Sequence, residues 1–133
     1  MDRRHIRRQK IVQQLFAATF DNAQTELPRA EKTDLVLKHL DELDVHITHY
    51  AQKYVIDKIA KVDLSILRLA IYELMIERQV PPRVIINEAV ELAKAFGGEN
   101  ASKFVNGVLG TIYRKSDFYE PESEKKPKNP DAA

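Results

Sequence analysis

Cysteine is absent from the 133 residues, which removes any disulfide framework, thiolate metal centre or cysteine nucleophile. Glycine is scarce, confined to Gly97, Gly98, Gly107 and Gly110, and its placement matches neither the Rossmann nor the P-loop pattern, so the commonest nucleotide-binding readings fall away. No proline lies between Pro28 and Pro81. Few breakers and few alternating β-branched runs leave helix as the expected secondary structure. No apolar run approaches the roughly 20 residues that span a bilayer. The opening MDRRHIRRQK leads into no apolar core, because Gln9, Lys10, Gln13 and Gln14 interrupt it; no secretory signal is expected, and the cytoplasm is the default location.

Charge of either sign is plentiful but unevenly placed. The formal net charge is +1, yet residues 1–10 set Arg3, Arg4, Arg7, Arg8 and Lys10 against Asp2 alone. The segment from Asp117 onward is polar, proline-bearing and net acidic. Residues 1–116 therefore read as one helical domain and 117–133 as a tail with too little apolar surface to order itself. A basic cluster at one end matters more to a polyanionic partner than the total charge does.

The helices are predicted from period and caps. Ile11, Val12, Leu15, Phe16, Thr19 and Phe20 give residues 3–20 one apolar face, with Arg4, Arg7 and Arg8 on neighbouring turns, able to project together. Segment 21–27 reads as a loop. Pro28 suits the first turn of a second helix carrying Leu35, Leu37, Leu40 and Leu43. A third, over about residues 44–60, carries Ile47, Tyr50, Ala51, Tyr54, Val55 and Ile59 and has a break expected near Val55. Asp63 reads as the N-cap of the next helix. Residues 64–77, LSILRLAIYELMIE, are apolar nearly all round, the mark of a central core helix. Val80-Pro81-Pro82 ends it. An amphipathic helix over residues 83–96 turns Ile86, Ala89, Val90, Ala93 and Phe96 inward, with Gly97 as its left-handed cap. The last helix, about residues 101–115, presents Phe104, Val105, Val108, Leu109 and Ile112.

Catalytic and metal readings find little support. His46 and His49 share a helix face at i, i+3 but lack a third ligand at a supporting spacing, so a solvated surface is the better account and no metal is expected. Glu88 and Glu91 form another i, i+3 pair with nothing to separate their acidities and no nucleophile motif nearby. No enzyme and no cofactor is implied. The arginines are the stronger lead: guanidinium groups fork onto phosphate, stack on exposed bases and release counterions. For a short terminal charge run plain solvation is the competing account, but an attached amphipathic helix anchors these arginines on folded structure. Ser102-Lys103-Phe104 offers a second basic and aromatic element, with Phe104 open to either core packing or base stacking.

The stretch VDLSILRLAIYELMIERQVPPRVIINEAVELAKAFGGENASKFVNGVLG, residues 62–110, closely resembles the hallmark region of the NusB family, and RRQKIVQQLF resembles that family's arginine-rich motif running into an aromatic. The resemblance spans about residues 3–113, is weakest over 21–60 and is absent from the tail. It implies an all-α fold of two small packed helical bundles. It also implies a non-enzymatic factor in transcription antitermination that binds boxA RNA of ribosomal RNA leader transcripts together with ribosomal protein S10 (NusE), and through that complex joins RNA polymerase and other Nus factors. By position, Arg3, Arg4, Arg7 and Arg8 match the arginine motif, with His5 at an often basic place. Phe16 matches its aromatic, commonly Tyr, without the hydroxyl. Asp63, Lys103 and Phe104 match positions bordering the RNA surface. Asn100 stands where Asp is frequent, which removes a negative charge beside the expected phosphate track and is predicted to favour RNA. Gly110 replaces a frequently polar residue. The S10 surface is expected near Tyr72, Glu73, Ile76, Pro82 and Val84. The alternative reading is a helical interaction or self-association module without RNA function, burying the basic helix in a homodimer.

Overall fold

A computed structural model describes residues 3–20, 28–51 and 56–121. They form six α-helices and no strand. Helix α1 is Arg3–Ala18, α2 Glu31–Lys38, α3 Leu40–Tyr50, α4 Lys61–Ile71, α5 Pro82–Gly97 and α6 Glu99–Lys115. A short 3₁₀ turn, Ile56–Lys58, precedes α4. Among these residues no helix is long and apolar enough to cross a membrane.

Helix α4 is the hub, as its all-round apolarity predicts. Leu64, Ile66, Leu67, Leu69, Ala70 and Ile71 are all buried. Helices α1, α3, α5 and α6 all pack on it, α2 is carried on α1, and α6 also packs on α3 and α5. Beyond Ile71 the helix widens into π-type geometry over Tyr72–Glu77, ending in a bond from Arg78 N–H to the Glu73 carbonyl at 3.0 Å. Arg78 itself is left-handed, with φ 55°. Such a widened turn rotates the side chains it carries relative to a regular helix, a device frequent at functional positions.

Several predicted boundaries move, each for a local reason. The second helix starts at Glu31, not in the turn of Pro28. Its entry is fixed from α1: the Gln14 side-chain carbonyl accepts from Ala30 N–H at 3.1 Å and from the Thr33 hydroxyl at 2.5 Å. The second and third helices meet at His39, not near residue 44; there φ −109° and ψ 15° leave the helical region, and the ring Nδ1 lies 2.7 Å from the Leu35 carbonyl. The expected loop 21–27 and the residues Tyr54 and Val55 lie outside the described residues. Asp63 is not a cap, because α4 begins two residues earlier, behind extended Ala60; it is the third residue of the first turn.

Helix α5 turns Ile85, Ala89, Leu92 and Ala93 inward, whereas Ile86 and Val90 are half-buried and Phe96 is 38% exposed. The left-handed cap is Gly98, at φ 91°, and not Gly97. Gly97 is required for space instead: a Cβ there would stand 2.7 Å from Ala101 Cβ and 3.1 Å from Asp63 Oδ1. Order also runs past residue 116. Phe118 and Tyr119 pack on Tyr113 at ring distances of 5.9 and 5.1 Å, Glu120 N–H donates to the Tyr113 hydroxyl at 3.2 Å, and the Arg78 guanidinium sits 4.4 Å from the Phe118 ring. Residues 122–133 of the expected tail lie outside the described residues.

Candidate nucleic-acid interface

Helix α1 buries Arg8, Ile11, Val12 and Leu15, and everything else on it is arranged by that choice. Arg3, Arg4, Arg7 and Lys10 are exposed. Phe16 and Phe20 are 37% and 43% exposed, with their rings edge to face at 5.2 Å. Arg7 and Phe16 are nine residues apart, which is about 180° around the helix and about 14 Å along it. The arginines and the phenylalanines thus occupy opposite flanks of one exposed ridge, and a strand touching both must cross it.

Arg8, expected among the RNA-facing arginines, is buried apart from an edge that lines the basic hollow of its neighbours. Its guanidinium forks onto the Glu73 carboxylate at 3.0 and 2.8 Å, with side-chain exposures of only 9% and 1%. Hydrogen bonding to Glu73 raises the already high pKa of Arg8 against the opposing effect of burial. Lys32, on α2, stands 3.9 Å from the same carboxylate and 3.1 Å from Glu77. His5 is also engaged, its Nδ1 bonded to Glu88 of α5. Arg4, Arg7, Lys10 and Lys32 rim an open hollow of about 440 Å³ that includes Glu77. Cations there outnumber carboxylates, which suits phosphate.

Arg8 faces the far end of α4 while Phe16 and Val62, at its start, share a second hollow, so α1 and α4 run antiparallel. The second hollow is apolar, about 370 Å³, between α1, the start of α4 and the end of α5. Lys61 places its ammonium 5.4 Å from the Phe20 ring at this end. Asp63 lies below the junction of α5 and α6. Its Oδ1 is buried, accepts no hydrogen bond from any described residue, and would be 3.1 Å from a Cβ at Gly97. Asn100 and Lys103 are exposed and Phe104 is half-buried against the core, on the first turns of α6 around Ala101, which abuts Gly97. The residues taken from the resemblance therefore divide into two ends. Arg3, Arg4 and Arg7 stand at one, and Phe16, Asp63, Asn100, Lys103 and Phe104 gather toward the other.

Burial raises the pKa of Asp63 because desolvation disfavours the carboxylate. In the window above the ordinary carboxylate range the folded state holds more protons than the unfolded chain, so stability falls as pH rises through it. The burial penalty is fully present above the raised pKa and relieved below the unfolded one. Asp63→Asn removes the titration. The stability of wild type relative to that variant is expected to increase as pH is lowered from 7 to 4, read as the difference in urea midpoints. A difference independent of pH contradicts this account.

The expected S10 surface is only partly a surface. Tyr72 and Glu73 are 5% and 1% exposed, because the widened end of α4 turns them into the interior; Tyr72 packs on His39 at a ring distance of 5.6 Å. Ile76 and Pro82 are half-buried and Val84 is 42% exposed. Phe118 and Pro82 line a common cavity of about 340 Å³, which places the ordered start of the tail beside this patch. The sequence reading passed over Lys32 and Lys61; Phe96, expected inward, and Phe20, expected on the apolar face of α1, are 38% and 43% exposed. His49 packs edge-on to Tyr50 at 4.6 Å, and among the described residues no three His, Asp or Glu side chains converge as a metal site.

The NusB family model matches residues 5–114. The chain is 39% identical over 122 residues to the transcription antitermination protein NusB of Oceanobacillus iheyensis, covering 82% of this chain and 97% of that one. Among solved structures, T. maritima NusB superposes with a TM-score of 0.73 at 30% identity over 91% of this chain and 96% of that one. A structure of antitermination factors NusB and NusE in complex with dsRNA shares the fold at 23% identity, with a TM-score of 0.67 over 86% of this chain and 100% of that chain. A helical core built around α4 and a family match running through nearly the whole of the described fold lead to one conclusion: this chain belongs to the NusB family.

Proposed function

We propose that this chain is a transcription antitermination factor that holds boxA-type single-stranded RNA of ribosomal RNA leader transcripts on the α1 ridge and ribosomal protein S10 (NusE) on a second face. Through that complex it joins RNA polymerase and other Nus factors, in the cytoplasm. Its work is assembly and involves no bond making. The observation that carries the reading is the sorting of α1: one arginine, Arg8, is spent on the fold, while Arg3, Arg4 and Arg7 remain on an exposed ridge. Phosphate contacts from these cations position the strand, and base contacts near Phe16, Lys103 and Phe104 select it. Asp63, whose Oδ1 is buried, shapes the floor of that end and leaves direct contact to its neighbours. His5, tied to Glu88, fixes the ridge against α5.

For S10 the accessible candidates are Ile76, Pro82 and Val84, with Tyr72 and Glu73 supporting them from inside. Two weak contacts on one chain, RNA and S10, strengthen each other through effective concentration. The reading is tested by transcription through a terminator placed downstream of a boxA-bearing leader, with S10 and the other Nus factors present. Adding the chain is expected to raise read-through on the intact leader and not on one with boxA scrambled. Equal read-through on both leaders contradicts it.

A further inference from the structure

Tyr113 seats the chain beyond α6 with its carbonyl, its ring and its hydroxyl. The carbonyl accepts from the Ser116 N–H and hydroxyl at 3.0 and 2.6 Å, so the helix closes and Ser116 turns away in extended geometry. The ring carries Phe118 and Tyr119 at 5.9 and 5.1 Å, and the hydroxyl accepts from Glu120 N–H at 3.2 Å. From the α4 side the Arg78 guanidinium reaches the Phe118 ring at 4.4 Å. We propose that residues 116–120 are a latch, closed over an apolar seat at the edge of the S10 face and released when S10 binds. The assignment rests on the S10-binding reading above and adds its regulation.

The latch is packed on one side only. Phe118 is half-buried, Asp117 and Glu120 are exposed, and an open hollow of about 340 Å³ is lined by Phe118 and Glu120 together with Leu74, Val80 and Pro82. A segment standing over a void forgoes the dispersion contacts of a close-packed one and opens locally at low free-energy cost. Its anchor is strained as well: among the described residues Arg78 alone, apart from glycine, has a positive φ, 55°, a conformation that persists only where its surroundings hold it. Pro82 joins the hollow to the S10 candidates, and Val84 stands exposed in the same turn of α5. A partner seated there meets Phe118. With the latch displaced, Leu74, Val80 and Tyr113, which line the hollow, extend the apolar surface of Pro82 and Val84. A partner side chain can then fill the space that the latch leaves empty. Those contacts exist only in the open form, and they supply the differential affinity that a ligand-driven release needs.

The test is the affinity of the full chain for S10, measured without RNA, for wild type, Phe118→Ser and Arg78→Asn. Serine removes the ring; asparagine tolerates left-handed geometry and is too short to reach Phe118. Thermal denaturation checks that each variant is folded. A latch this lightly held, closed in about four chains of five, keeps the apparent affinity about fivefold below that of the open form. Both variants are therefore expected to bind S10 about fivefold more tightly. Hydrogen exchange on the wild type supplies a second readout: the amides of residues 117–120 are expected to exchange faster once S10 is saturating. Unchanged affinity in both folded variants overturns the latch. Weaker binding by folded Phe118→Ser also overturns it, because the segment would then be part of the S10 surface and not its cover. Amide protection that S10 leaves in place or increases overturns it too. Absence of S10 binding by wild type and by both variants overturns the underlying S10 reading itself.

Discussion

Replacing Arg8 by alanine is expected to lower folding stability by about 3–5 kcal/mol, the range found when one member of a buried ion pair is removed. The forked bonds at 3.0 and 2.8 Å join α1 to the widened end of α4, and Glu73 is 1% exposed, so the truncation strands a desolvated carboxylate. Lys32, 3.9 Å away, can move toward that charge and place the loss at the lower end of the range. Arg7, on the same helix but exposed, is expected to cost no more than about 0.5 kcal/mol when truncated, as is usual for surface positions. Urea denaturation of the two variants makes the comparison. Arg8→Met combined with Glu73→Leu, which removes both charges and keeps apolar volume, is expected to recover most of the stability. A loss at Arg8 of under 1 kcal/mol contradicts the structural role. Loss of RNA binding in an Arg8 variant accordingly reports folding and cannot by itself map the interface.

Arg3→Ala combined with Arg7→Ala is expected to weaken RNA binding about 25-fold at 0.1 M salt and to flatten the dependence of log affinity on log salt by about 1.4, each phosphate contact to a single strand contributing about 0.7 to that slope. Both side chains are exposed, so the folded state is expected to survive unchanged. Affinity and slope are read from titrations at several salt concentrations, with thermal denaturation run alongside. A variant that keeps the wild-type slope would show that these arginines are solvated and touch no phosphate.

The contrast between Arg8 and Arg7 also shows how far the sequence could be read. An arginine beside other arginines defaults to the surface, and the partner that buries Arg8 lies 65 residues away, beyond any local pattern. The central helix was legible because residues 64–77 are apolar on every side, and that pattern has one destination. Helix α5 was legible as a helix but not in its facing. Ile85, Ala89, Leu92 and Ala93 make one apolar stripe and Ile86, Val90 and Ala93 another next to it, and packing against α4 and α6 decides between them. His39 ends α2 without glycine or proline, through a side-chain bond to Leu35, so the boundary carried no familiar signal. Asp63 read as a cap because capping residues precede apolar runs, yet the helix had already begun at Lys61. At the interface the residue types and the family motifs were visible. What was hidden is that arginines and phenylalanines stand on opposite flanks of α1, with Phe96 of α5 lining the same hollow as Phe16.

The most direct test of the central claim is binding of labelled boxA-type RNA and a scrambled control, with and without S10, across several salt concentrations. The account predicts a preference for boxA that strengthens when S10 is added, over an electrostatic background that falls with salt for both RNAs. Binding of neither RNA, with active S10 present, would contradict it.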